Sequence, residues 1–178
     1  KFNFPSISFQ PTERLALLST GKTTGVVLQC GSGITSICSI YENYVLPQTV
    51  QWTKFAGASL SASLISKLNK HSMDLHTTGG IAVAQNIKAT VCYVADDYQK
   101  ELERFTSGQI KAEYSAPDGS ILDVKELAIK IPELLFNPQL FGLHSPGVHQ
   151  LLLKSILATQ EHIRADMWKH ISICGGAT

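Results

Sequence analysis

The feature that most constrains the fold is an apolar hairpin pattern in residues 24–41, TGVVLQCGSGITSICSIY. We predict strands over 26–29 and 34–41, because β-branched and aliphatic residues flank a glycine-containing turn at 30–33. Such a turn can leave several backbone N–H groups directed into one concavity, which is an arrangement that can bind a phosphate. An ordinary tight hairpin has the same pattern, since a short glycine motif is a weak signal by itself.

The side chains predicted to face this turn are uncharged: Gln29, Ser32 and Ser36. Hydrolysis of a nucleoside triphosphate requires carboxylates, direct or water-bridged, that hold magnesium and position the attacking water. The hairpin therefore has the backbone expected of a phosphate site but lacks the acids expected of a hydrolase.

Composition restricts the class of protein. Of the 178 residues, 44% are hydrophobic and only 16% are charged, which indicates a globular protein with part of its surface covered by a partner. A net charge of +1 gives no electrostatic reason to expect a nucleic acid or an anionic membrane as partner. The four cysteines form no C-x-x-C pair, so zinc and a disulfide framework are disfavoured and a reducing compartment is expected.

The ends of the chain favour a piece of a longer protein. No apolar run reaches the roughly 18–20 residues of a membrane-spanning helix. The chain starts at Lys1 without a signal peptide, and its final predicted strand, 171–174, runs into a Gly-Gly turn. Because natural termini usually lie outside the last packed element, we expect the fold to continue in residues beyond this sequence or in a partner chain.

Further patterns predict the remaining elements. Residues 2–9 are predicted to form a strand, and Thr12 to cap a short helix. Ser59 and Thr77 are predicted to start longer helices, and the charged stretch 96–103 to be a solvated helix or loop. Later predictions are a hairpin over 110–124 with Asp118-Gly119 at its tip, an apolar loop around 134–142, and helices over 147–158 and 160–169.

The order of these elements, together with short sequence strings within them, resembles that of actin and the actin-related proteins over essentially the whole chain. The strings are Phe2-Asn3 with Pro5, Ser19 to Gly25, Ile40-Tyr41-Glu42 with Tyr44 and Leu46-Pro47, Ile87-Lys88 with Cys92 to Ala95, Tyr114 with Pro117-Asp118-Gly119, Pro132-Glu133 with Leu135-Phe136 and Pro138, Ile163-Arg164 with Asp166, and Gly175-Gly176 with Thr178. Together they are specific, whereas single strings would not be.

The resemblance implies an α/β fold of the actin-like ATPase (ribonuclease H-like) class, of which this chain is the C-terminal half. Residues 1–55 and 125–178 are expected to form the inner, larger subdomain of that half, and 56–124 an inserted outer α/β subdomain. The N-terminal half, with the other phosphate-clamping hairpin, is missing. The chain is therefore expected to supply one wall of a nucleotide cleft.

The resemblance also implies which positions would contact a nucleotide. Matching positions are Gly31, Gly33 and Ile34 in the phosphate turn, Gly57 and Lys88 on the adenosine side, and Gly176 in the glycine turn. Departures are Gln29 and Ser32 in place of magnesium-holding acids, Thr12 and Ser36 in place of the water-orienting glutamine and histidine, and Ala89 and Ala177 in place of a glutamate and a threonine. The backbone of Ser32 is still expected to take part in phosphate binding.

These departures predict a structural actin-related subunit of a cytoskeletal or multi-protein assembly, without catalytic residues or a metal, and with weak or no nucleotide binding. The alternative is an ATP- or ADP-binding actin-like protein that polymerises or switches with its nucleotide, and a kinase- or chaperone-type ATPase of the wider superfamily is a third. Expected partners are actin-family or cytoskeletal subunits, contacted through Leu140, Phe141 and Gly142, with no nucleic acid or membrane. The expected location is the cytoplasm and its cytoskeleton, with the nucleus as the other candidate.

Overall fold

A computed structural model describes residues 3–68, 77–116 and 119–177. The helices are α1 (Thr12–Ser19), α2 (Gly57–Leu68), α3 (Thr78–Thr90), α4 (Tyr98–Thr106), α5 (Leu127–Glu133), α6 (Val148–Leu157) and α7 (Arg164–Lys169). The strands are β1 (Gly25–Cys30), β2 (Thr35–Tyr41), β3 (Tyr44–Val45), β4 (Gln51–Thr53), β5 (Glu113–Ser115), β6 (Ile121–Asp123) and β7 (Ile171–Cys174). Short 3-10 turns cover Pro47–Thr49, Pro138–Phe141 and Glu161–Ile163.

The chain divides into two compact units, Lys1–Thr53 with His149–Thr178, and Lys54–Val148. The predicted inner subdomain included residues 125–148, whereas the structure places them in the second unit because α5 contributes buried residues to its core. The assignment of the two units to the family's inner and outer subdomains stays a prediction.

The first unit is built on a mixed sheet with the strand order β3-β2-β1-β7, and β4 pairs with β2. Strands β1 and β2 are antiparallel and β7 is parallel to β1, so the predicted hairpin and the predicted final strand are confirmed. On one face, Leu17 of α1 packs against Val27, Cys38 and Ile40. This core fixes α1 next to the strands that carry the glycine turn.

A buried polar network lies on the other side of β2. The Ser39 hydroxyl lies 3.1 Å from that of Ser155 on α6, and the Ser39 backbone N–H donates to Thr49 Oγ1 at 3.0 Å. All three residues are fully buried, so each hydrogen bond replaces one that water would have made. The network therefore ties α6 and the first 3-10 turn to the sheet.

Two predictions near the beginning of the chain are wrong. Residues 3–10 form no strand, and Phe4 and Phe9 are 67% and 93% exposed. Alternation of apolar residues is not sufficient for a strand when no neighbouring strand pairs with it. Pro11 is the residue that precedes α1, and no side-chain hydrogen bond caps the helix, so Thr12 is not its cap.

The second unit has a core formed by α2, α3 and α5, with Leu64, Ile87 and Ile131 fully buried. Thr77 directly precedes α3, as predicted, and caps it, because its hydroxyl accepts from Gly80 N at 3.1 Å. Helix α2 begins at Gly57, before its predicted start at Ser59. No residue of α4 is buried, which confirms the solvated charged segment. Strands β5 and β6 form the predicted hairpin, while its tip at 117–118 lies outside the described residues.

Candidate functional site

The turn between β1 and β2 keeps backbone N–H groups available to an external acceptor. Gly31 N donates to Ile34 O at 3.0 Å, which closes the turn. Across the described ranges, no acceptor is bonded to the N–H groups of Ser32, Gly33 or Ile34, and all three residues are exposed. Consecutive free N–H groups of this kind are the donors that bind phosphate oxygens in anion-binding turns.

A second glycine turn packs against the first. Because β7 is parallel to β1, the carboxyl ends of both strands meet at the same edge of the sheet. There, Ala177 N donates to Cys30 O at 3.1 Å. Gly175 has φ +115°, and a Cβ at this position would lie 2.2 Å from Cys30 O, so no other residue fits. The structure thus brings the predicted Gly176 to the edge that carries Gly31 and its turn.

The end of the sheet below these turns is polar but carries no charge on its strands. Gln29 on β1 is paired with Ser36 on β2 and with Cys174 on β7. Gln29 Oε1 is buried and has no hydrogen-bond partner among the residues described. An unpaired buried oxygen of this kind costs about 1–3 kcal/mol, so it marks a place where a donor is missing.

Among the described residues, one carboxylate is bonded to this polar end; it comes from α1, and the sequence reasoning missed it. Ser36 Oγ donates to Glu13 Oε1 at 2.6 Å, and Glu13 is half-buried. Thr12, which the resemblance places where the family has its water-orienting glutamine, is exposed. The available signal was spacing: Glu13 precedes the buried Leu17 by four residues, so both lie on the helix face that meets the sheet.

The two thiols near Glu13 are held in the protonated form. Burial, followed by the negative charge of Glu13 and by Cys174, raises the pKa of Cys38 to about 12. Burial and Glu13 also raise the pKa of Cys174. A protonated thiol is neither a nucleophile nor a metal ligand. No group of three or more His, Cys, Asp or Glu that could hold a metal occurs in the described part of the chain.

The second unit contains the other predicted nucleotide residues, and it joins two of them directly. Lys88 Nζ on α3 donates to Gly57 O at 2.9 Å and to Ser61 Oγ at 3.1 Å, both on α2. The ammonium group therefore holds two core helices together. This contact gives Gly57 and Lys88 a folding role that needs no ligand.

The predicted protein-contact segment also lies in the second unit. Leu140 is 53% exposed, and Gly142 ends the 3-10 turn in a left-handed conformation with φ +73°. The backbone of Phe141 belongs to the same turn. No helix among the residues described is long and apolar enough to cross a membrane.

Comparison with known proteins accounts for this architecture. The family model named Actin matches residues 1–178. The chain belongs to the actin family. It is 34% identical to an actin-like protein of Neurospora crassa over 181 residues, a match that covers 99% of this chain and 48% of the relative. The chain thus spans about half the length of the curated relative that it matches.

The ligand that the fold family implies, a magnesium-bound nucleoside triphosphate, fits this actin-family chain only in part. The free N–H groups of the β1–β2 turn fit phosphate oxygens. The side chains do not fit the metal, because Gln29, Ser32 and Ser36 are neutral and the Glu13 carboxylate is already engaged by Ser36. Magnesium prefers carboxylate oxygens together with water, and no strand residue at this edge supplies one.

Proposed function

We propose that this chain is part of a structural actin-related subunit of a cytoskeletal or multi-protein assembly, which does not hydrolyse nucleotide and binds it weakly or not at all. The observation that carries the proposal is the neutral character of the strand side chains beside the β1–β2 turn. Gln29 and Ser36 face each other across β1 and β2, and the nearby carboxylate of Glu13 is held by Ser36.

The physical argument concerns charge. A triphosphate depends on a metal ion to neutralise its oxygens, and a metal ion depends on anionic ligands. With neutral side chains on the strands, the turn can offer only backbone N–H groups. Glu13 adds a negative charge near the turn, which opposes a polyphosphate that arrives without its metal.

The positions that match the family have a second explanation. Gly175 is required because any Cβ would collide with the backbone of Cys30. Lys88 is hydrogen-bonded to Gly57 and Ser61 within the protein. Gly175, Gly57 and Lys88 are therefore accounted for by folding, whereas a Cβ at Gly33 or Gly176 would meet open space, so folding does not explain those two glycines.

The proposed partners are other actin-family or cytoskeletal subunits, and the proposed location is the cytoplasm with its cytoskeleton. Two observations support an assembly role. The exposed Leu140 lies in a turn that is too apolar for a purely solvated loop. Charged residues make up only 16% of the sequence, which leaves much of the surface suited to contact with protein.

Isothermal titration of the intact polypeptide with Mg-ATP tests the proposal. We expect a Kd weaker than about 100 µM and no release of phosphate. Gln29→Asp with Ser32→Asp restores carboxylates beside the turn and is expected to tighten Mg-ATP binding about tenfold or more. Gln48→Asp with Ser19→Asp makes the same charge change at exposed positions elsewhere and should leave binding unchanged. Sub-micromolar binding by the unmodified protein, followed by phosphate release, would overturn the proposal.

The free N–H groups of the turn favour one second candidate, an actin-like protein that binds ATP or ADP through its backbone. Binding of that kind would persist in the presence of a chelator, because it does not use the metal. The same titration repeated with EDTA separates the two candidates: micromolar affinity that is independent of magnesium supports backbone binding.

A further inference from the structure

A pocket of about 560 Å³ in the second unit has no part in the function proposed above. Its lining combines positive charge with apolar surface: Lys67, Lys111, Lys125, Phe105, Ile110 and Leu127. We refer to it as the lysine pocket. All of its residues belong to one compact unit, so its shape depends on that unit alone.

Three separate elements bring the lysines together. Lys67 lies in the last turn of α2, Lys111 precedes β5, and Lys125 follows β6. In the β5–β6 hairpin, Glu113 pairs with Asp123, and Val124 N donates to Ala112 O at 2.8 Å. Lys111 and Lys125 therefore flank the open end of this hairpin.

The acids of the lining form no ion pair with Lys111 or Lys125 in the described part of the chain. Asp123 Oδ1 accepts from the backbone N–H of Lys125 at 3.1 Å, and Glu126 Oε1 forms an ion pair with Lys130 at 2.5 Å. Within the described ranges, no carboxylate lies within ion-pair distance of Lys111 or Lys125. Both side chains are exposed, so their positive charge is available to an external anion.

The backbone at Lys125 is in an unfavourable conformation. Its φ is +53°, in the left-handed region that residues other than glycine seldom adopt. The hydrogen bond from Lys125 N to Asp123 maintains this conformation. Strained backbone is retained more often at binding sites than elsewhere, which is consistent with a ligand for this pocket.

We propose that the lysine pocket binds an acidic peptide segment of a partner protein. Carboxylates of the segment contact Lys111 and Lys125, and an apolar side chain of the segment packs between Phe105, Ile110 and Leu127. Complementary charge selects the segment, and the half-buried apolar residues supply contact area. Peptide binding here is independent of nucleotide binding at the β1–β2 turn, because no residue of the pocket belongs to the first unit.

A nucleic acid fits the pocket less well than an acidic peptide. Protein surfaces that bind nucleic acid carry positive charge over an extended stripe, whereas the net charge of this chain is only +1. Asp123 and Glu126 also lie in the lining and would repel a continuous phosphodiester backbone. A short peptide can place its few carboxylates beside the lysines and avoid these acids.

Fluorescence anisotropy with the full chain tests the proposal. The probe is a short fluorescein-labelled peptide of alternating glutamate and leucine or phenylalanine. One comparison peptide replaces glutamate by lysine, a second replaces the apolar residues by serine, and a single-stranded oligonucleotide is the competitor. We expect the acidic apolar peptide to bind most tightly, and its affinity to fall as sodium chloride is raised from about 50 to about 300 mM.

The variant Lys111→Glu with Lys125→Glu is expected to bind the peptide about tenfold more weakly, a change of about 1.4 kcal/mol. Lys22→Glu with Lys154→Glu is the matched control, because it makes the same charge change at exposed lysines of the first unit. If the glutamate variant fails to fold by circular dichroism, Lys111→Met with Lys125→Met replaces it. Equal loss in the control, equal binding of all three peptides, or tighter binding of the oligonucleotide would each overturn the proposal.

Discussion

The hydrogen bond between Glu13 and Ser36 gives the sharpest prediction about the first unit. Ser36 Oγ donates to Glu13 Oε1 at 2.6 Å, and both residues are half-buried. Hydrogen bonds to charged acceptors contribute about 1.5–3 kcal/mol, and partial exposure places this one near the lower end. We therefore expect Glu13→Ala and Ser36→Ala to show a coupling free energy of about 1.5 kcal/mol in a double-mutant cycle.

The cycle separates this bond from the other contribution of Glu13. An acidic residue in the first turn of a helix stabilises it by about 0.3–1 kcal/mol through the helix dipole, and that term cancels between the two arms of the cycle. Glu13→Gln, which keeps an acceptor but removes the charge, is expected to retain about half of the coupling. Glu103→Ala on the exposed helix α4 is the control for loss of an acidic side chain that forms no ion pair within the described residues.

Urea unfolding followed by tryptophan fluorescence is a suitable assay. The two tryptophans of the sequence, Trp52 and Trp168, both lie in the unit that contains Glu13, so the signal reports on that unit. Far-ultraviolet circular dichroism checks each variant for folding. A coupling free energy below about 0.5 kcal/mol, within the additivity error of distant sites, would refute the claim that α1 is held to the sheet end by this bond.

Three further predictions concern positions with contrasting surroundings. Gly175→Ala is expected to lower the free energy of unfolding in urea by about 3 kcal/mol or more, because the new Cβ would lie 2.2 Å from a backbone oxygen. Gly176 has open space around it, so Gly176→Ala should change the free energy of unfolding little. Lys88→Met keeps the apolar stem but removes the ammonium group, and it should lower the free energy of unfolding by about 1–2 kcal/mol in the same assay. An unchanged free energy of unfolding would mean that the ammonium group bonds chiefly to water. Burial raises the pKa of Cys38 from its ordinary 9.0 to about 12. The contribution of the neutral Cys38 thiol to the free energy of unfolding is therefore complete below pH 9 and is lost as the pH rises towards 12. Iodoacetamide at pH 8 should label Cys38 far more slowly in the native than in the denatured protein, and equal rates would contradict the buried site.

The sequence was sufficient for those parts of the fold that local patterns determine. The β1–β2 hairpin could be predicted because its strand residues and its glycine turn agree with each other. Residues 3–10 have a similar alternation but form no strand, since pairing depends on a neighbour that no local pattern specifies. Helix α5 was not predicted because Pro132 lies within it, and a proline in the interior normally argues against a helix.

The candidate sites were predictable only where a site lies within one segment. The glycine turn of the β1–β2 hairpin is continuous in sequence, and its neutral neighbours follow from strand pairing. Glu13 reaches Ser36 only because α1 packs on the sheet through Leu17, which is a tertiary contact. Lys67, Lys111 and Lys125 come from three elements, and nothing in their spacing indicates that they line one pocket.

Positions that match the actin-family pattern and positions that depart from it differ in their contribution to folding. Gly175 cannot change without a clash, and the Lys88 ammonium bonds two residues of α2, so folding alone would preserve both. Gln29 makes no such contact through its buried Oε1 in the described part of the chain, so no hydrogen bond of the fold requires an amide oxygen there. A carboxylate at this position would be a partly buried negative charge, which lowers stability unless a cation such as a metal ion compensates it. An amide at this position, beside a turn with free N–H groups, supports the proposed scaffold role and argues against metal-dependent hydrolysis at this site.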